Sequence, residues 1–141
     1  MTEKVRKKLA IIAHGGTIDR LYPVFILSSA ASAMDMEIHL YFTFWGLQML
    51  VKGALEKAEL PATYKHLEGQ LKSSLRMMKY PSIYDMLKMA KASGLVKIYA
   101  CSSTMKMFGI KKEDLIPEVD KIVGAASFLD LASKAEIALF I

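Results

Sequence analysis

Apolar runs of strand length alternate with stretches of helical spacing from Lys8 to Ile141. The run Lys8 to Ala13 (KLAIIA) ends on His14-Gly15-Gly16-Thr17, a pattern that predicts a buried strand closed by a tight turn. Asp19 is placed to cap the following helix, with Pro23 near enough to its start to be tolerated, and that helix is expected to reach about Met34. Glu37 to Phe42 (EIHLYF) reads as a second strand, and Thr43 as the cap of a second helix running to Gly53. Leu67, Leu71, Leu75 and Met78 recur at helical spacing and predict a short helix over about Leu67 to Lys79. Ser82 and Asp85 resemble a capping box that opens a further helix, which Ser93-Gly94 stops.

Leu95 to Ala100 (LVKIYA) is the third strand; Cys101 stands at its carboxyl end, and Ser102, Ser103 and Thr104 lead into a short helix through Phe108. Val119 to Gly124 predicts a fourth strand, Ser127 to Lys134 a helix begun by a serine cap, and Glu136 to Ile141 a fifth strand. This alternation implies one α/β domain over residues 1–141. The expected fold is a three-layer α/β/α sandwich, flavodoxin- or Rossmann-like, with a mostly parallel five-stranded sheet covered by helices on both faces.

Composition agrees with a packed core: of 141 residues, 53% are hydrophobic and 23% charged, too apolar for a disordered chain. The longest uncharged stretches, Leu21 to Met34 and Ile38 to Val51, are 14 residues each, below the roughly 20 a membrane-spanning helix needs. The opening MTEKVRKK runs straight into LAIIA without a signal-peptide pattern, so a cytoplasmic protein with no membrane span is expected. The lone cysteine, Cys101, excludes an intrachain disulfide, and His14, His39 and His66 have no metal-ligand spacing, so neither metal nor cofactor is expected. The net charge of +5 is uneven, with +8 concentrated in residues 61–112. Lys65, Lys72, Arg76 and Lys79 there form either a solvated helical face or a docking field for an acidic partner. Without a recognised motif or a basic, aromatic-studded strand, nucleic-acid binding is not expected.

In an open parallel sheet, ligands bind beyond the carboxyl ends of the strands. Three such ends are chemically distinctive: His14-Gly15-Gly16-Thr17, Thr43-Phe44-Trp45-Gly46 and Cys101-Ser102-Ser103-Thr104. At a strand-to-helix junction, amides and the hydroxyls of Ser102, Ser103 and Thr104 could stabilise a Cys101 thiolate; equally, Cys101 could be a small buried hydrophobe. His14, Gly15 and Gly16 could approach an anion or serve only a tight turn, and they match no nucleotide-binding glycine motif. Phe44 and Trp45 could close the core or wall off the thiol.

Taken together, Met34-Asp35-Met36-Glu37, Phe42-Thr43-Phe44-Trp45-Gly46-Leu47, Ala100-Cys101-Ser102-Ser103-Thr104-Met105 and Met107-Phe108-Gly109-Ile110 resemble the DsrE/DsrF/DrsH-like family of sulfur-relay proteins. The resemblance implies a DsrE-like α/β/α sandwich that assembles as a homo-oligomer. It further implies a cysteine at the place of Cys101 that carries a persulfide-type adduct, and a partner such as a TusA-like sulfur carrier or a rhodanese. His14-Gly15-Gly16 departs from the serine or other small residue of relatives at that turn. The leading expectation is therefore a sulfur carrier or sulfurtransferase acting through Cys101. Thr43, Phe44, Trp45, Ser102, Ser103, Thr104, His14, Gly15 and Gly16 are expected to line the pocket or stabilise the thiolate. One alternative is a non-catalytic oligomeric interaction subunit of a sulfur-relay complex. A Cys101-His14 hydrolase is disfavoured, because Ala100-Cys101-Ser102 lacks the flanking glycines of a nucleophile elbow.

Overall fold

Five strands form a single sheet in a computed structural model that describes residues 5–141. They are β1 (Lys8–Ala13), β2 (Glu37–Phe42), β3 (Val96–Cys101), β4 (Lys121–Val123) and β5 (Ile137–Phe140). All pair in parallel, in the order β4-β3-β2-β1-β5. The helices are α1 (Ile18–Ala33), α2 (Phe44–Gln48), α3 (Glu68–Met77), α4 (Ile83–Ala92), α5 (Ser102–Phe108) and α6 (Ala125–Ala132). The chain steps outward from β1 to β4, and α6 then carries it back across the sheet to set β5 against β1.

Strand side chains alternate between the two faces, so one face presents Leu9, Ile11, Ile38, Leu40, Phe42, Val96, Ile98 and Ala100, all buried. This apolar face lies under α1 and α4, with Phe25 of α1 stacked 6.3 Å from Phe42 and the Tyr22 hydroxyl donating to the Pro81 carbonyl at 3.0 Å. The opposite face carries Glu37, His39 and Tyr41 on β2 beside Lys97, Tyr99 and Cys101 on β3. It is covered by α6, whose Phe128 is 2% exposed and stacks 4.6 Å from the Tyr41 ring, nearly parallel to it. Polar groups on that face are paired: His39 bonds Tyr99 at 2.8 Å and Glu37 at 2.6 Å. The result is the expected α/β/α sandwich.

Several element ends differ from the sequence expectation, each for a local or tertiary reason. Thr17, not Asp19, is the N-cap of α1: Asp19 already lies in the first turn, where its carboxylate accepts the Thr17 hydroxyl at 2.5 Å. The helix after Thr43 stops at Gln48 rather than Gly53. The following residues are captured by a distant segment, with Val51 bridging Leu115, Lys52 N–H donating to Asp114 O and Ile116 N–H to Leu50 O. Ser82 does cap α4, accepting the Asp85 N–H at 3.1 Å. β4 begins at Lys121 because Asp120 bonds β3 with its side chain, taking the Ile98 N–H at 2.7 Å while holding Lys91 at 2.6 Å. Gly124, not Ser127, caps α6, and a start there brings Phe128 onto the sheet.

Candidate functional site

Cys101 is the last residue of β3 and the N-cap of α5, so its side chain leaves the sheet where strand becomes helix. It is buried, at 6% exposure. Burial pushes the thiol up, but hydrogen bonds from the Thr104 hydroxyl, the Tyr41 hydroxyl, the Thr104 backbone and the Thr43 hydroxyl outweigh it, and the thiol settles at about 7. Thr104 is the hub. Fully buried, it accepts the Phe44 N–H at 3.2 Å and lies 3.0 Å from the Thr43 hydroxyl. The Thr43 and Thr104 hydroxyls share a hydrogen bond in which either can be the donor, so one of their two protons serves that bond and the other is left for the sulfur.

Phe44 adopts φ +47, a conformation costly for a residue with a side chain. Its strain is held in place by close backbone packing of two loops. A Cβ on Gly46 would sit 2.3 Å from the Ala13 carbonyl oxygen, and one on Gly16 would sit 2.5 Å from that of Trp45. Gly46 N–H donates to His14 O and Thr43 N–H to Ala13 O, so the ends of β1 and β2 are laced together. Above them lies an aromatic rim: Phe44, Trp45 and Phe108 contact one another at 5.7 to 6.2 Å, and His14 stacks on Phe140 and lies tilted against Phe44. Trp45 and Phe140 are more than half exposed. Beside the rim, His14, Gly15, Gly16, Arg20, Trp45 and Phe140 help line a depression of about 430 Å³ where β1 meets β5.

The sequence model of the DsrE/DsrF/DrsH-like family matches residues 5–77 and 57–140. The chain belongs to this family. Among its relatives is the sulfur carrier protein DsrE2 of Allochromatium vinosum, 31% identical over 96% of this chain and 99% of the relative. The uncharacterized protein YrkE of Bacillus subtilis is 26% identical over the full length of both. In fold, the chain is similar to the crystal structure of ychN protein from E. coli, with a TM-score of 0.64 and 18% identity over 96% of this chain and 99% of that one. MTH1491 of Methanobacterium thermoautotrophicum gives a TM-score of 0.61 at 12% identity, over 96% of this chain and all of that one.

Within this family fold, the structure gathers Thr43 and Thr104 at the sulfur and ties Phe44 to them through its N–H. Trp45 belongs to the rim, and Gly15 and Gly16 to the neighbouring loop. Ser102 and Ser103 are not among the groups that bond the sulfur, and Ser102 points its hydroxyl toward Gly124. His14 engages aromatic rings rather than the thiol. Tyr41 is the residue that sequence reasoning missed. Its signal was the polar alternation Glu37, His39, Tyr41 in a strand otherwise apolar enough to be buried on both faces. Among the described residues, no group of three or more His, Cys, Asp or Glu is placed to hold a metal ion.

Thr104→Val removes one donor from the sulfur and orphans the Phe44 N–H. The variant is expected to lose about 1–3 kcal/mol of stability. The midpoint of its Cys101 alkylation-versus-pH curve should rise from near 7 by about one unit. Stability has its own pH signature in the parent protein. The folded thiol ionises more readily than the unfolded one, so this contribution is fully present above the ordinary thiol pKa and is lost as pH falls through about 7. Thermal melts across that window should show a smaller rise with pH in Thr104→Val.

Proposed function

We propose that the protein is a sulfur carrier or sulfurtransferase that accepts sulfane sulfur on Cys101 and passes it to a partner thiol. The supporting observation is the donor set around that one thiol: three hydroxyls and a backbone amide, which bring it to about 7 despite its burial. The name of the Allochromatium relative, a sulfur carrier protein, supports the same chemistry. In the proposed step the Cys101 thiolate attacks the outer sulfur of a donor persulfide, R–S–SH. A new S–S bond forms, the donor S–S bond breaks, and its electron pair leaves on the donor thiolate R–S⁻. An acceptor thiolate then attacks the outer sulfur on Cys101 and regenerates the Cys101 thiolate. The exchange needs no external oxidant, and one cysteine suffices because the partner brings the other.

The exposed rim of Trp45, Phe44 and Phe140 is a suitable docking surface for a protein donor or acceptor, such as a TusA-like carrier or a rhodanese. The exposed apolar side chains of β5, Ile137, Leu139 and Phe140, support self-assembly into a homo-oligomer. A cytoplasmic setting is part of the proposal, since a lone thiol stays reduced there. Among the described residues, no helix is long and apolar enough to cross a membrane.

Incubating the purified protein with polysulfide or a persulfidated donor and weighing it intact tests the proposal. The expected result is a gain of one or more sulfur atoms that dithiothreitol removes; a mass unchanged by every donor overturns it. The 6% exposure of Cys101 favours a second reading, a non-catalytic interaction subunit with an inert thiol. Alkylation at pH 7 no faster than in an unfolded peptide, together with no sulfur gain, would establish that reading instead.

A further inference from the structure

We infer that the Tyr41 hydroxyl follows the charge on Cys101, bonding the sulfur when it is anionic and the Val123 carbonyl when it is neutral. The inference rests on the reading of Cys101 as the sulfur-bearing residue. Tyr41 on β2 is in register with Tyr99 on β3, and Cys101, two residues further along β3, faces the same side of the sheet. Cys101 is in turn in register with Val123 on β4. The Tyr41 hydroxyl lies 3.5 Å from the Val123 carbonyl oxygen. A side chain rooted on β2 that reaches β4 must cross β3, and it does so over Cys101. At 3.5 Å the bond to Val123 is at the outer limit of hydrogen-bond distance, so the proton is not committed to that oxygen.

The ring itself is fixed. Tyr41 is 5% exposed and stacks on Phe128, with ring planes 10° apart. Rotation about the phenolic C–O bond alone redirects the proton, so neither ring nor backbone has to move. Burial and the neighbouring thiol hold the Tyr41 hydroxyl well above its ordinary pKa, which keeps it a donor throughout the range in which Cys101 titrates.

The charged groups nearby do not compete for this role. On the same face, Lys97, Lys121, Glu37 and His39 lie nearer the amino ends of the strands, and Glu37 is bonded to His39. Asp130 and Lys134, at the end of α6 and just beyond it, pair with each other on the surface, and Lys106 of α5 is exposed. The sulfur's charge is therefore answered by neutral hydroxyls and the Thr104 amide; the Thr43 and Thr104 hydroxyls have each other as alternative partners, and Tyr41 has a backbone carbonyl to return to.

Three proteins test the inference: the wild type, Tyr41→Phe, and a protein with fluorotyrosine placed at position 41. Tyr41→Phe keeps the ring stack and should raise the midpoint of Cys101 alkylation by about one unit, slowing the reaction roughly tenfold at about pH 6. Fluorotyrosine, a more acidic donor of similar shape, should lower the midpoint. In the wild type, the carbon-13 shift of the Val123 carbonyl should titrate with the Cys101 midpoint; in Tyr41→Phe it should not. Equal midpoints in all three proteins, or a Val123 titration that persists without the hydroxyl, would overturn the inference. If Tyr41→Phe does not fold, the fluorotyrosine midpoint and the wild-type carbonyl titration decide. Sulfur loading measured in parallel separates the two claims. A wild type that loads while the midpoints stay equal retains the carrier and removes Tyr41 from it. Midpoints that shift in a protein that never loads do the reverse.

Discussion

Cys101→Ser is expected to abolish sulfur loading and leave the fold in place. Serine preserves the shape of the side chain, and Thr104, Thr43 and Tyr41 can still satisfy the buried oxygen, so the cost in stability should stay near 1 kcal/mol. The chemistry has no such substitute. Persulfide exchange needs a sulfur nucleophile that is substantially ionised near neutral pH, and a hydroxyl neither ionises there nor holds sulfane sulfur. Cys101 is also the only cysteine in the chain, so no second thiol can take over. Intact-mass measurement after incubation with a persulfidated donor, beside circular-dichroism melts, checks both halves. A Cys101→Ser protein that still gains removable sulfur would place the chemistry elsewhere and remove Cys101 from it.

Gly46→Ala should have the largest effect on stability of any single methyl added near the site. The new Cβ would meet the Ala13 carbonyl oxygen at 2.3 Å, a backbone atom that cannot swing aside and that already accepts the Thr43 N–H. Relief requires the end of β1 and the start of α2 to separate. That movement would also pull Gly46 N–H from His14 O and loosen the hold on the strained Phe44. A loss of about 3 kcal/mol is expected, visible as a drop in Tm of about 10 °C. Because Phe44 N–H is anchored on Thr104, the alkylation midpoint of Cys101 should shift as well. Gly69→Ala is the control: a Cβ there meets nothing within 4 Å, and helix propensity predicts a gain of up to about 1 kcal/mol. Equal melts for Gly46→Ala and the parent protein would show that the two loops are not locked as described.

Much of this architecture was legible in the residue order because strand and helix write different periods. β1 and β2 match the expected ranges residue for residue, and the Ser82 cap of α4 is where its spacing placed it. The misplaced ends share a cause. Val51 and Lys52 read as helix until Leu115 and Asp114, more than sixty residues away in sequence, claim their backbone groups. Asp19 reads as a cap until Thr17, two residues before it, occupies its carboxylate. At the site, Thr43, Phe44 and Thr104 were marked by their nearness to strand ends, the property that makes such loops converge. Ser102 and Ser103 were marked by adjacency to Cys101, which is a poor guide within a helix, where successive residues point in different directions.

Periodicity and composition imply a parallel α/β domain with one thiol at a strand terminus, and short residue motifs carry the family likeness, because each depends on local patterns a few residues long. Strand order, the return of α6 over the sheet and the arrival of Tyr41 over Cys101 come from packing. Each requires residues far apart in the chain to share one surface, and the position of Phe128 against Tyr41 is set by how α6 crosses rather than by any nearby sequence. The ionisation of Cys101 belongs to that second group: burial and the hydrogen bonds from Tyr41, Thr43 and Thr104 oppose each other there, and their balance exists only once β2, the Thr43 turn, β3 and α5 have met.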